Sequence, residues 1–289
     1  MTAAEMVVGS VWVVAALAAL VVVVRRGFLG RRAFIAAPPR AVGLVLLDLV
    51  VAFLLFLIGS AVHDLVTRRF LAPGGTGPSE AGGLPVAVQL YQAVLGQVLG
   101  QLPVVVYLGW RARGRRHGWK ILGLAPRSID RDVPAGVLGF LVALPLVMGT
   151  MVLVVAVCRW LGWVVPQYGH ELLVALSQSG SGWVTLGLIA SAVVVAPVLE
   201  EAVFRGLVQT VLLETFGASW RWRIVTFSAI AFALVHTGQA WQSLPGLWVL
   251  GMVLGWLYER TGSLLPGVIV HGAFNAWNVA IVLWLSSSG

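Results

Sequence analysis

The chain has 289 residues, of which 11 are Asp or Glu and 19 are Lys or Arg. Charged residues make up 10% and apolar residues 59%, where soluble domains carry about 25% charged residues. So few charges cannot cover a soluble surface of this size, and disordered chains are poor in apolar residues, so composition excludes both and leaves an integral membrane protein.

A membrane span takes about 20 apolar residues. The sequence predicts an all-α, polytopic transmembrane helical bundle of about eight spans, placed at 5–24, 41–62, 86–109, 134–158, 183–216, 224–238, 244–258 and 264–285. The first is no ordinary signal peptide, because Arg25 and Arg26 follow its apolar run instead of preceding it. The stretch Pro73–Pro85 reads as a Gly/Pro-rich loop on the non-cytoplasmic side. The fourth span contains the single cysteine, Cys158, which allows no intrachain disulfide and reads as packing. Residues 166–181 form a second outer loop, with a short interfacial helix expected around Glu171–Leu176. The fifth span is too long for a simple crossing and contains Pro197, so a kink or an extension is expected. The sixth and seventh are short, which suits tilted or partly re-entrant helices. No repeat interrupts this order, and the chain divides into N-terminal spans with basic loops over 1–182 and a more polar helical core over 183–289, within one membrane domain.

The basic residues sort by loop. Arg25, Arg26, Arg31, Arg32 and Arg40 follow span one, and Arg111, Arg113, Arg115, Arg116, Lys120, Arg127 and Arg131 follow span three. Arg221, Arg223 and Arg260 fall in loops of the same parity, whereas the opposite side holds Arg68, Arg69 and Arg159. Cytoplasmic loops collect Lys and Arg, so both termini are expected on the non-cytoplasmic side, in the plasma membrane for a bacterial source. The net charge of +8 then reflects topology and contact with anionic lipid head groups, and nucleic acid is not an expected partner.

With the loop charges set aside, the spans still hold Asp48, Glu200, Glu201, Arg205, His236, His271, Asn275 and Asn278. An ionisable group in hydrocarbon costs at least a few kcal/mol and is a functional candidate by default. Asp48 lies close to Arg40 and reads as an interface residue, and Asn278 as interhelical glue. Glu201 and Arg205 are four apart and can pair on one helical face. Glu200 is rotated about 100° from Glu201, so one carboxylate can be held by Arg205 while the other faces a different cavity. His271 and Asn275 form a polar stripe on an otherwise apolar helix. Such a set suits hydrolysis: a carboxylate as general base on water, with imidazole and amide donors for the oxyanion. The Ser179–Gly182 stretch does not read G-x-S-x-G, and H-E-x-x-H is missing, so neither a serine mechanism nor a conventional zincin is indicated.

Three motifs stand in order on the late helices: Glu200-Glu201-Ala-Val-Phe-Arg205 (E-E-x-x-x-R), Phe232-Ala-Leu-Val-His236 (F-x-x-x-H) and His271-Gly-Ala-Phe-Asn275 (H-x-x-x-N). The set resembles the CPBP (Abi) family, which includes type II CAAX prenyl endopeptidases and bacteriocin-processing or bacteriocin-immunity proteins. The resemblance covers roughly 183–285, and no motif position departs from it. It implies an intramembrane peptidase acting on a peptide or protein substrate that reaches the membrane. In that reading Glu200 activates water with help from His236, His271 and Asn275 form the oxyanion site, Glu201 and Arg205 support it, and Phe232 packs beside His236. Glu200, His236 and His271 could also ligate zinc with an open position, so the sequence leaves glutamate-type and metalloprotease chemistry both open. The rival classes are a non-catalytic scaffold or immunity protein, and a proton-coupled transporter, which calls for paired helix interruptions in two halves. Among the tryptophans, Trp241, Trp248, Trp256 and Trp277 fall near the site helices, with lipid-facing packing the favoured role.

Overall fold

Inside hydrocarbon every backbone N–H and C=O must find an internal partner, so apolar runs of this kind fold as helices. A computed structural model describes residues 3–34, 43–71, 86–113, 118, 123, 129–164, 182–236 and 241–287, and all regular structure among them is helical. The 73–85 loop, the 166–181 loop with its expected helix, and most of the basic 111–133 segment lie outside the described residues.

Among the described residues, eight helical passages follow the expected order. They are α1 (Ala3–Arg25), α2 (Leu46–Val66), α3 (Val86–Gly100) with α4 (Leu102–Ala112), α5 (Ile129–Trp160), a long rod over 182–216, α9 (Arg221–Leu234), α10 (Leu244–Thr261) and α11 (Leu265–Ser287). Among the described residues, five helices are long and apolar enough to cross a membrane: Met6–Arg25, Leu46–Phe70, Ile129–Trp160, Thr185–Phe216 and Leu265–Trp284. The third passage departs from the expected single span, and the sixth and seventh are short, as their sequences suggest. The third is broken at Gln101, where Pro103 in the first turn of α4 has no N–H to continue the ladder. α9 has 14 residues, about 21 Å of rise against a hydrocarbon core of about 30 Å. α10 carries Glu259 and Arg260 near its end.

The rod holds the site. It runs through α6 (Gly182–Ala190), a π-helical segment Ser191–Val195, α7 (Ala196–Glu201), a second π segment Ala202–Gln209 and α8 (Thr210–Phe216). The interruption expected from Pro197 is therefore a widening of the helix just before the proline. One side of the rod packs Leu207 and Val211 against Val104 and Leu108 of α4. The other side buries Phe204 with Phe232 of α9, Leu250 and Leu254 of α10, Val270 and Phe274 of α11, and Ala143 and Val147 of α5. α9 and α10 approach closely because Gly251 lies against Ala229 and Gly255 against Val225 and Gln209.

The basic ends of several helices share one face. Arg260 Nη1 donates to the Ala33 carbonyl at 2.8 Å, and Arg221 Nη1 to that of Phe34 at 3.4 Å. The Leu264 amide donates to Gly123 of the third loop at 3.0 Å. Asp48 caps α2 by accepting from the Val45 amide at 2.7 Å and is gripped by Arg111 at 2.6 and 3.0 Å and by Tyr107 at 2.5 Å. It clamps α2 to α4 and lies outside the cluster on the late helices.

Candidate active site

α7 ends in the two glutamates, and their adjacent positions send the side chains apart. Glu200 Oε2 lies 3.7 Å from His236 Nε2 and 3.9 Å from His271 Nε2. Glu201 is wholly buried and bridges two partners, with Oε2 3.3 Å from Arg205 Nε and Oε1 3.3 Å from His271 Nδ1. Arg205, also wholly buried, donates from Nη2 to the Gly251 carbonyl at 3.3 Å. The glutamate pair thus divides as its spacing suggests: Glu201 is held by arginine, and Glu200 faces two imidazoles.

His236 is not inside its helix. α9 stops at Leu234, short of the expected 238, and His236 sits in the turn that follows. Its Nδ1 lies 2.7 Å from the Phe232 carbonyl, which only accepts, so Nδ1 donates there and Nε2 is the ring nitrogen turned toward Glu200. Glu200 Oε2 is itself buried without a protein hydrogen-bond partner. Side-chain exposures of 12% for Glu200, 17% for His236 and 5% for His271 leave a narrow opening on this side.

Phe232 joins the parts. Its fully buried ring packs edge-on against His271 at 5.5 Å and Phe204 at 5.3 Å, tilts against His236 at 4.8 Å, and lies 4.9 Å under the Arg205 guanidinium. The expected contact with His236 is one of four.

Asn275 is committed elsewhere than the sequence suggests. It lies one turn beyond His271 on α11, and its Nδ2 donates to the Ala192 carbonyl at 2.8 Å. The reason is local. In the π segment Ala196 N–H reaches back five residues to Ser191. The next residue, Pro197, has no N–H to give Ala192. A side-chain amide from α11 takes its place, and Gly272 permits the close approach, since a Cβ there would stand 2.6 Å from the Val193 carbonyl. An amide nitrogen has two hydrogens, so one N–H of Asn275 remains beyond this bond.

Two buried polar residues escape a sequence reading. Gln209 Nε2 donates to Glu259 at 2.8 Å and to the Gly255 carbonyl at 2.9 Å, and Arg221 Nε pairs with Glu259 at 3.3 Å. Glu259 reads as a loop charge because Arg260 follows it. The available signal was the spacing of Gln209, four residues past Arg205. Ala233 and Leu234, just before His236 in the chain, line a wide-open apolar hollow of about 400 Å³ with Trp241, Pro245 and Trp248.

A catalytic zinc site needs three side-chain ligands at about 2.0–2.2 Å. Among the described residues, no three His, Cys, Asp or Glu side chains gather as a metal-holding group. Glu200, His236 and His271 are not among such groups, with Glu200 Oε2 3.7 and 3.9 Å from the two imidazole Nε2 atoms.

Residues 182–277 match the family model described as type II CAAX prenyl endopeptidase Rce1-like. Over this segment the chain is similar to that family. The segment contains α6 to α10, most of α11 and every member of the cluster. A 95-residue stretch is also 28% identical to the UPF0177 protein YxdF of Lactococcus lactis subsp. lactis (strain IL1403), which covers 32% of this chain and 49% of that protein. The chain thus spans about half the length of the curated relative it matches. No solved structure matches the chain. The matched segment accounts for a third of the sequence, and α1 to α5 supply the membrane-embedded frame around it.

Proposed function

We propose that the chain is an intramembrane endopeptidase that hydrolyses peptide bonds with a water activated by Glu200. The observation that carries this reading is the buried Glu200 Oε2, without a protein hydrogen-bond partner, facing Nε2 of His236 across 3.7 Å. In the neutral ring Nε2 accepts, and one water satisfies both groups with its two hydrogens. As the water oxygen bonds to the scissile carbonyl carbon, Glu200 takes its proton, and returns it to the leaving nitrogen when the C–N bond breaks. His271 Nε2 and the second N–H of Asn275 are assigned to the oxyanion. With Nδ1–H turned to Glu201, His271 can donate from Nε2 only as the imidazolium. Glu201 and Arg205 fix that ring, and Phe232 sets the spacing of both histidines.

The substrate in this reading is a peptide or protein segment that reaches the membrane plane, with its apolar residues against the hollow that Ala233 and Leu234 line. The face bearing Arg221 and Arg260 is assigned to the cytoplasm, where its basic loops meet anionic lipid head groups. Both termini then lie on the opposite side.

The test is peptide-library cleavage by the full chain in lipid nanodiscs. Glu200→Gln is expected to lower the rate by about 10²–10⁴, the usual worth of a general base, with thermal unfolding unchanged. Full activity in that variant sinks the role of Glu200. A chelator is expected to leave the native rate unchanged, and a loss that added zinc restores would overturn the metal-free chemistry.

A further inference from the structure

Glu201, Arg205 and Gln209 stand at i, i+4 and i+8 on the rod, and all three are wholly buried. In a straight α-helix residues four apart drift about 40° per step. Arg205 and Gln209 nevertheless share a face, since they donate to the Gly251 and Gly255 carbonyls one turn apart on α10. Beyond Gln209 the stripe continues through Glu259, which is 1% exposed, to Arg221, whose side chain is 18% exposed on the face that carries Arg260. A continuous line of polar groups therefore joins the hydrolytic cluster to the end of the bundle.

The line is not satisfied by protein alone. Glu201 Oε2 with Arg205 Nε, and Arg221 Nε with Glu259 Oε2, are held as ion pairs at 3.3 Å, whereas Glu200 Oε2, Arg205 Nη1 and Gln209 Oε1 are buried without a protein hydrogen-bond partner. The orientation of Gln209 is fixed, because both neighbours of its nitrogen, the Gly255 carbonyl and Glu259, only accept. Its oxygen is therefore the group left over. Buried polar atoms in native proteins are nearly always met by protein or by ordered water. Gly255 brings α10 close against Gln209, since a Cβ there would stand 2.8 Å from Gln209 Oε1 and 3.2 Å from Val225 Cγ1.

We propose that this stripe carries a file of bound water from the Arg221 face to Glu200, with Gln209 and Glu259 as positioning residues for it. The inference rests on the hydrolytic reading above. Each peptide bond cleaved consumes one water, and a file along this stripe brings the next one from the basic face, apart from the narrow opening beside Glu200 and His236. The positive Arg205 midway favours passage of neutral water over hydronium.

Two measurements on the full chain in nanodiscs test it. A density map at a resolution that shows waters is expected to place them against Gln209 Oε1 and Arg205 Nη1. Side chains closed on one another with no water between them would overturn the proposal. In kinetics, Gln209→Leu and Gly255→Ala are each expected to lower kcat per folded protein about tenfold at unchanged KM, with a lower Tm. The first removes the polar group, and the second keeps every polar group and crowds Gln209 Oε1, so the file is tested even where Gln209→Leu fails to fold. Native kcat in a folded Gln209→Leu and in Gly255→Ala would overturn the proposal. If the native chain cleaves no peptide at all, the endopeptidase reading fails, and the density map alone decides the water file.

Discussion

Glu201 shows how much a single residue can be asked to do. It neutralises a buried arginine and holds the Nδ1 side of His271 from the same carboxylate. Removing one member of a buried pair costs about 3–5 kcal/mol because the other charge is left uncompensated, whereas replacing both by apolar groups is often neutral. Glu201→Gln is therefore expected to lower both stability and activity. Glu201→Gln combined with Arg205→Met is expected to recover much of the thermal stability while kcat stays about 10²-fold down, the scale of one lost oxyanion donor. Recovery of kcat along with Tm would show that Glu201 only packs. At this scale the sequence was largely legible: two adjacent acids, an arginine four on and two histidines on other helices declare a cluster by rarity and spacing. Its limits are equally physical. The partner of Asn275 is a backbone carbonyl, and backbone carbonyls look alike in every sequence. Glu259 was hidden because a charge near a helix end reads as solvated.

At the scale of the element, the rod is an interrupted helix whose irregularities sit on both sides of the glutamates. π turns widen a helix and recur at functional sites. Here they leave carbonyls that side chains must cap: Asn275 for Ala192, Thr210 for Arg205 at 2.9 Å, and Ser228 for Phe204 at 3.3 Å. Pro197 announces an interruption in the sequence, but its form depends on what α11 offers in return. Pro197→Ala gives the backbone an N–H that competes with Asn275 for the Ala192 carbonyl. Tm is then expected to hold or rise, since a helical proline is costly beyond the first turn, while kcat falls about tenfold as Asn275 loses its anchor. A thermal-shift assay beside steady-state kinetics reads both. Native kcat in a folded Pro197→Ala protein would mean that the Asn275 bond is only structural glue.

The whole molecule explains why one third of the chain carries the family likeness while the rest is still needed. Composition made the bundle legible, because a chain with so few charges and such long apolar runs has few other ways to satisfy its backbone. Which helices touch was not legible, since apolar faces of similar composition carry no label for their partners. α5 is the decisive case. It lies outside the Rce1-like segment, yet Ala143 and Val147 share a core with Phe204, Phe232 and Phe274, directly behind the histidines. Small residues let it come that close. A Cβ on Gly139 would stand 2.7 Å from Leu257 Cδ1 and 3.0 Å from Val270 Cγ2, and one on Gly136 2.8 Å from Ile269. Val270 and Ile269 immediately precede His271. Gly139→Leu should therefore press α5 away from α10 and α11, at an overpacking cost of about 1–3 kcal/mol. It should also displace His271, although Gly139 touches no group assigned to chemistry. The expected outcome is a lower Tm together with a kcat reduced well beyond the unfolded fraction at the assay temperature. If activity falls only in proportion to folded protein, α5 is a passive support, and the geometry around Glu200 is set by the C-terminal helices alone.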